Sequence, residues 1–195
     1  MKKLLTIISA VLVTTISFAQ TSSGTWNNAT ATYTNTNHGI TWKLIDELNW
    51  VGRPILTGST LFKVRNDDTH ILIKLAASKY NGSNGDDIWN FISSYDTKEY
   101  HDMVEAVAKK DGMTLKSVTA IKSQLCGIHA NKVKTDMTKY HSDHNVTVHC
   151  VEYTYQLCKN GYIYTIAVTG LSVLEEELPP FERIANRLIN GFSIK

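Results

Sequence analysis

The run His141-x-x-His144, followed by His149 and Cys150, is the densest concentration of chemically capable side chains in the sequence. Imidazole nitrogens and a thiolate are ligands for zinc or copper, and a metal reading would take His141, His144 and His149 as its donors. The setting argues against it. Thr138 to Asn145 reads as a polar loop that holds Tyr140, His141 and His144, and Asp143 is the one carboxylate at hand. Nucleophilic catalysis would need a Cys–His pair built on Cys126 or Cys150. Both fall in expected strands, without a helix N-terminus or a cationic nest to favour a thiolate. No Gly-x-Ser-x-Gly occurs, and Asn81-Gly82-Ser83-Asn84-Gly85 lacks the Gly-Lys-Ser/Thr ending of a phosphate loop, so it reads as a flexible connection. Enzyme chemistry is therefore not expected, and no cofactor is implied. The remaining candidates are aromatic. Trp50 and Tyr80 sit in connections and Tyr140 in the polar loop, where a large side chain is free to meet a ligand or a partner.

The element that organises the chain is Val146 to Leu171, two long strands joined at Asn160-Gly161. A two-residue turn pairs Lys159 with Tyr162, Leu157 with Tyr164, Tyr155 with Ile166 and Tyr153 with Val168. That register makes one face of the ribbon continuously apolar and aromatic, as the centre of a sheet requires. Cys150 and Cys158 fall on the other face. Eight residues apart in one strand is about 26 Å, so they cannot bridge each other. Either one of them pairs with Cys126 or all three are thiols.

Before the hairpin, Ala31, Tyr33 and Asn35 alternate in an edge strand, His38-Gly39 turns, and Ile40 to Leu44 forms a short strand. Leu61 to Arg65 and Thr69 to Ala76 continue an antiparallel meander. Asp86 or Asp87 caps a short helix with Ile88, Trp89, Phe91 and Ile92, and Thr97 caps a second with Tyr100, Met103, Val104 and Val107 inward. Leu115 to Leu125 and Ile128 to Met137 are strands separated by a bend at Cys126-Gly127. Pro179-Pro180 opens a last helix that buries Phe181, Ile184, Ala185 and Leu188 and ends before Gly191.

Lys2, Lys3, the apolar run Leu4 to Phe18 and Ser17-Phe18-Ala19 ahead of Gln20 read as a bacterial secretory signal peptide over residues 1–19. Residues 20–29 read as a flexible leader, and 30–195 as a single domain. The chain has 20 Lys and Arg against 18 Asp and Glu. Lys2 and Lys3 belong to the export segment, which leaves the mature chain neutral and gives no electrostatic case for nucleic acid. No later stretch is long and apolar enough for a membrane span.

The order of elements resembles the PsbP-like domains. The resemblance rests on His38-Gly39-Ile40-Thr41-Trp42-Lys43-Leu44 leading to Trp50, the helix after the meander, the strand pair around Cys126-Gly127, and the long hairpin followed by an amphipathic helix ending Gly191-Phe192-Ser193-Ile194. It implies an α+β fold in which helices cover both faces of an antiparallel sheet, an α/β/α sandwich. It also implies a non-catalytic tendency to bind partners, and no set of site residues. The expectation is an exported binding or accessory protein of the bacterial envelope, periplasmic or secreted, with a protein partner there. The alternative is a zinc- or copper-binding or hydrolytic periplasmic protein that uses the His141–Cys150 region.

Overall fold

A computed structural model of the chain describes residues 24–45, 48, 50–53, 59–80, 87–172 and 178–195. The expected signal peptide, the glycine-rich loop at 81–85 and the acidic stretch 175–177 lie outside the described residues. The elements in order are β1 (Gly24–Asn27), β2 (Thr32–Asn35), β3 (Ile40–Lys43), β4 (Val51–Arg53), β5 (Thr60–Asn66), β6 (Ile71–Lys79), a 3-10 helix (Ile88–Asp96), α1 (Lys98–Lys110), β7 (Thr114–Leu125), β8 (Ile128–His141), β9 (Val146–Lys159), β10 (Tyr162–Ser172), α2 (Leu178–Asn190) and β11 (Phe192–Ile194). They form a four-stranded sheet, β1-β2-β3-β11, and a seven-stranded sheet, β4-β5-β6-β10-β9-β8-β7. No helix among the described residues is long and apolar enough to cross a membrane.

The β9–β10 hairpin lies at the centre of the large sheet in the register that its sequence demands, with Lys159 opposite Tyr162, Leu157 opposite Tyr164 and Tyr153 opposite Val168. Asn160 and Gly161 both take positive φ, 51° and 74°, the geometry that a two-residue turn needs to match strand twist. Cys126 and Gly127 make the same kind of turn between β7 and β8, with φ of 55° and 74°, where the sequence suggests only a bend.

The two faces of the large sheet differ. On one, Tyr153, Tyr155 and Leu157 of β9 and Tyr164, Ile166 and Val168 of β10 join the main core with α2 and the small sheet. Trp42 of β3 is fully buried there, its indole N–H donating to the Leu188 carbonyl at 2.8 Å and its ring meeting Phe192 edge-on at 5.6 Å. On the other face, the 3-10 helix and α1 bring Tyr95, Tyr100 and Val104 onto Val118 and Val133. Helix α1 forms where the sequence places it. The Thr97 hydroxyl caps the Tyr100 N–H at 3.2 Å, and Lys98–Asp102 and Glu105–Lys109 are ion pairs one turn apart.

Two segments depart from the sequence reading. Gly24–Asn27, assigned to the flexible leader, is a strand paired with β2, because Trp26 has Phe62 to pack against at 5.2 Å. The polar loop at Thr138–Asn145 shrinks to the turn Ser142–Asn145. Thr138 to His141 continue the ladder opposite His149 to Val146, since Thr and Tyr are strand formers whatever their polarity.

Candidate functional site

The face of β9 turned away from the main core carries Cys150, Glu152, Thr154, Gln156 and Cys158. Its neighbours on the same face are Thr165, Ala167 and Thr169 of β10, Leu72 and Lys74 of β6, and Lys63 of β5. Helix α1 packs toward the β7–β8 edge of this face, where Tyr100 and Val104 meet Val118 and Val133. Between Val104, Val107 and Ala108 of the helix and the strands lies a cleft of about 390 Å³.

Glu152 sits in the middle of it, half-buried. Its neighbour across the ladder, Thr169, donates a hydroxyl hydrogen bond to one carboxylate oxygen at 2.9 Å, and Thr154 donates to the other at 3.1 Å. Among the described residues Glu152 has no ion-pair partner. Burying a carboxylate is costly unless it is paired, and two hydroxyls compensate only in part. Lys63 and Lys74, opposite each other in the β5–β6 ladder, are in no ion pair among the described residues either, whereas Arg65 on the same face is held by Asp67 at 2.9 Å. Cys150 closes one end of the cleft. Burial, then the nearby Glu152 and Asp136 carboxylates, push its thiol up to about 12, so it is a thiol and not a nucleophile at neutral pH. Burial likewise raises the Tyr100 phenol, with Tyr95 and Glu152 adding to the shift. The cleft sets hydroxyls, the Glu152 and Asp111 carboxylates and the Lys63 and Lys74 ammonium groups against an apolar wall.

The residues singled out from sequence lie elsewhere and do not form one patch. Trp50 is half-buried against the main core, its indole N–H donating to the Ile45 carbonyl at 2.9 Å. Tyr80 follows β6 beside the Asn160-Gly161 turn, its backbone N–H donating to the Gly161 carbonyl at 2.8 Å. Tyr140 is at the other end of the sheet, 62% exposed, its hydroxyl donating to the Asn145 side chain at 2.9 Å. The structure does bring Tyr140 and His149 together. They line a broad groove of about 940 Å³ on the α2 side of the sheet, with Tyr153, Lys134, Asp136 and Glu182. His141 pairs with Val146 and Thr138 with His149, and residues three apart in a strand face opposite ways, so His141 and His149 point to opposite faces. No group of three or more His, Cys, Asp or Glu among the described residues is placed to hold a metal ion. Cys126, Cys150 and Cys158 form no disulfide with one another.

Two features escaped the sequence reading. One is the cleft itself. Its signal was the run of alternate small or polar residues opposite the tyrosines, Glu152 and Thr154 on one strand and Thr165 and Thr169 on the next. The other is His129. Its Nδ1 lies 2.5 Å from an Asp87 carboxylate oxygen, and its ring stacks on Trp89 at 3.5 Å, clamping the start of the 3-10 helix to the β7–β8 hairpin. The Trp89 backbone N–H, followed by His129 and Lys122, holds the Asp87 carboxyl below its ordinary range.

No protein-family model matches the chain, and no characterised protein matches it in sequence. Solved structures do match it. Cyanobacterial PsbP (CyanoP) from Synechocystis sp. PCC 6803 aligns with a TM-score of 0.58 and 11% identity, over 94% of this chain and 99% of that one. LpqN of Mycobacterium tuberculosis, a protein involved in cell envelope biogenesis, aligns with a TM-score of 0.45 and 12% identity, over 92% and 88%. The Ran-binding protein Mog1p of Saccharomyces cerevisiae gives 0.44 and 10%, over 80% and 90%. The near-complete overlap with CyanoP, together with a central antiparallel sheet carrying helices on both faces and a long hairpin leading into the last helix, shows that this chain has the PsbP-like fold.

Proposed function

We propose that the chain is an exported, non-catalytic binding or accessory protein of the bacterial envelope, and that the cleft under α1 is where it binds. The observation that carries this reading is Glu152, a half-buried carboxylate whose partners among the described residues are hydroxyls, on a face that packing alone would fill with Val or Leu. Departures from the apolar rule in a sheet interior are characteristic of sites that work. The protonated Cys150 thiol, buried at the edge of the cleft, favours recognition over nucleophilic catalysis there. Export rests on the N-terminal residues 1–19, and the fold shared with CyanoP supports a partner-binding role by analogy.

The test is amide chemical-shift mapping on the purified chain with a panel of small polar compounds: a dipeptide, a disaccharide, spermidine and inorganic phosphate. The expected result is that at least one moves the amides of Glu152, Thr154, Thr165 and Thr169 as a group, and that Thr165→Phe, which fills the cleft, removes the effect. Shifts confined to other surfaces, or none from the whole panel at millimolar concentration, overturn the reading.

A further inference from the structure

The charges of the cleft are segregated. Glu152 and Asp111 stand on the β9–α1 side, and Lys63 and Lys74 on the β5–β6 side, so the lining is neutral overall and dipolar across its width. Neutrality disfavours a ligand of high net charge of either sign, since a polyamine would meet the lysines and a phosphate would meet the carboxylates. Segregation favours one that carries both signs at its ends.

Glu152 and Lys74 lie two strands and two residues apart through the pairs Glu152–Thr169–Leu72 and Thr154–Ala167–Lys74. At a strand spacing of about 4.8 Å and a rise of about 3.4 Å, their Cα atoms are about 12 Å apart. Thr154 holds the carboxylate from its own strand and Thr169 from β10, the strand between it and the lysines. Once the side chains reach inward, the space between the charged groups suits a backbone of two or three residues, which spans about 7–10 Å when extended. The hydroxyls of Thr135, beside Glu152 on β8, and of Thr165, one row beyond Ala167 on β10, have no hydrogen-bond partner among the described residues and flank the path between the two charges. Leu72, Ala167 and Val104 give an apolar wall for side chains.

Resting on the binding reading above, we propose that the cleft takes a short zwitterionic peptide, with its N-terminal ammonium at Glu152 and its C-terminal carboxylate between Lys63 and Lys74. The probe is the dipeptide Ala-Leu, titrated calorimetrically and by amide shifts into the purified chain, beside N-acetyl-Ala-Leu and Ala-Leu amide. Ala-Leu is expected to bind in the cleft, and capping either end to weaken it at least tenfold. Glu152→Gln keeps the shape and one threonine bond, the second reversing as a hydroxyl accepts from the new amide, and should make free and acetylated peptides bind alike. Lys63→Met with Lys74→Met should do the same for the free and amidated pair. Equal affinity of capped and free peptides, or selectivity unchanged in these variants, overturns the proposal. If the disaccharide or spermidine fills the cleft and Ala-Leu does not, the zwitterion rule falls and the cleft still binds. If nothing moves the cleft amides, both readings fall.

Discussion

If the Glu152 cluster exists for binding, the fold should be better off without it. Glu152, Thr154 and Thr169 form one hydrogen-bonded unit on an otherwise packable face. Thr169→Val alone removes one of two donors to the carboxylate and should cost about 1 kcal/mol, less than the ~1.5–3 kcal/mol of a charged hydrogen bond, because Glu152 is only half-buried and water recovers part of the loss. The triple variant Glu152→Leu, Thr154→Val, Thr169→Val removes the unit whole. Val matches Thr in shape and has equal strand preference, and Leu at 152 would pack beside Met137 and Val104. Replacing a partly buried polar network by apolar residues of similar volume is neutral to stabilising, and here the expected gain is about 1–3 kcal/mol. For a chain of this length that is a rise of roughly 2–10 °C in Tm. The assay is urea unfolding followed by tryptophan fluorescence, in which the midpoint should rise at constant m value while the single variant falls. A triple variant less stable than the parent by 1 kcal/mol or more would refute the reasoning, because the cluster would then be holding the fold and not serving a ligand.

Asp87 titrates below its ordinary value of 3.8 in the folded chain, so its clamp on Trp89 and His129 adds stability above that pH and loses it as the pH falls through the depressed value. Asp87→Asn should therefore flatten the acid limb of a stability–pH curve and leave its shape above pH 6 unchanged. Gly161→Ala, with open space around the added methyl, should cost about 1 kcal/mol from the left-handed backbone alone. Gly191→Ala places a methyl carbon 1.9 Å from the Lys43 carbonyl oxygen and should cost clearly more by displacing β11, read as a lower Tm with a broadened transition. Zinc or copper should leave Tm unchanged in the parent and in His141→Ala/His144→Ala alike, and a metal-dependent rise lost in the double variant would restore the metal reading.

The hairpin register could be read from sequence because two local signals agree: Asn160-Gly161 demands a two-residue turn, and the tyrosines demand a common face. Helix α1 could be read because Thr97 and the ion pairs act within a turn of one another. The β8–β9 turn was misread because polarity in a two-sided strand resembles a loop until its partner is known. The cleft could not be assembled at all. Lys63, Lys74, Glu152 and Thr169 come from four strands, and only the complete ladder sets them on one surface. Trp50 and Tyr80 looked available because connections are usually exposed. In the fold both are half-buried, Trp50 with its indole bonded to the Ile45 carbonyl and Tyr80 with its backbone bonded to Gly161.

Strand β11 pairs with β3, setting Phe192 against Trp42 across most of the chain's length. The small sheet is therefore closed by a strand far along the chain from the one it pairs with, and Trp42, which meets Phe62 of β5 on one side, has its carbonyl acceptor and its second ring partner only once α2 and β11 are made. An N-terminal fragment cannot settle into its final form early and then be completed. Contacts of such high sequence separation form late and together. A chain wired in this way stays loose until its distant segments have met, and then becomes rigid as a unit.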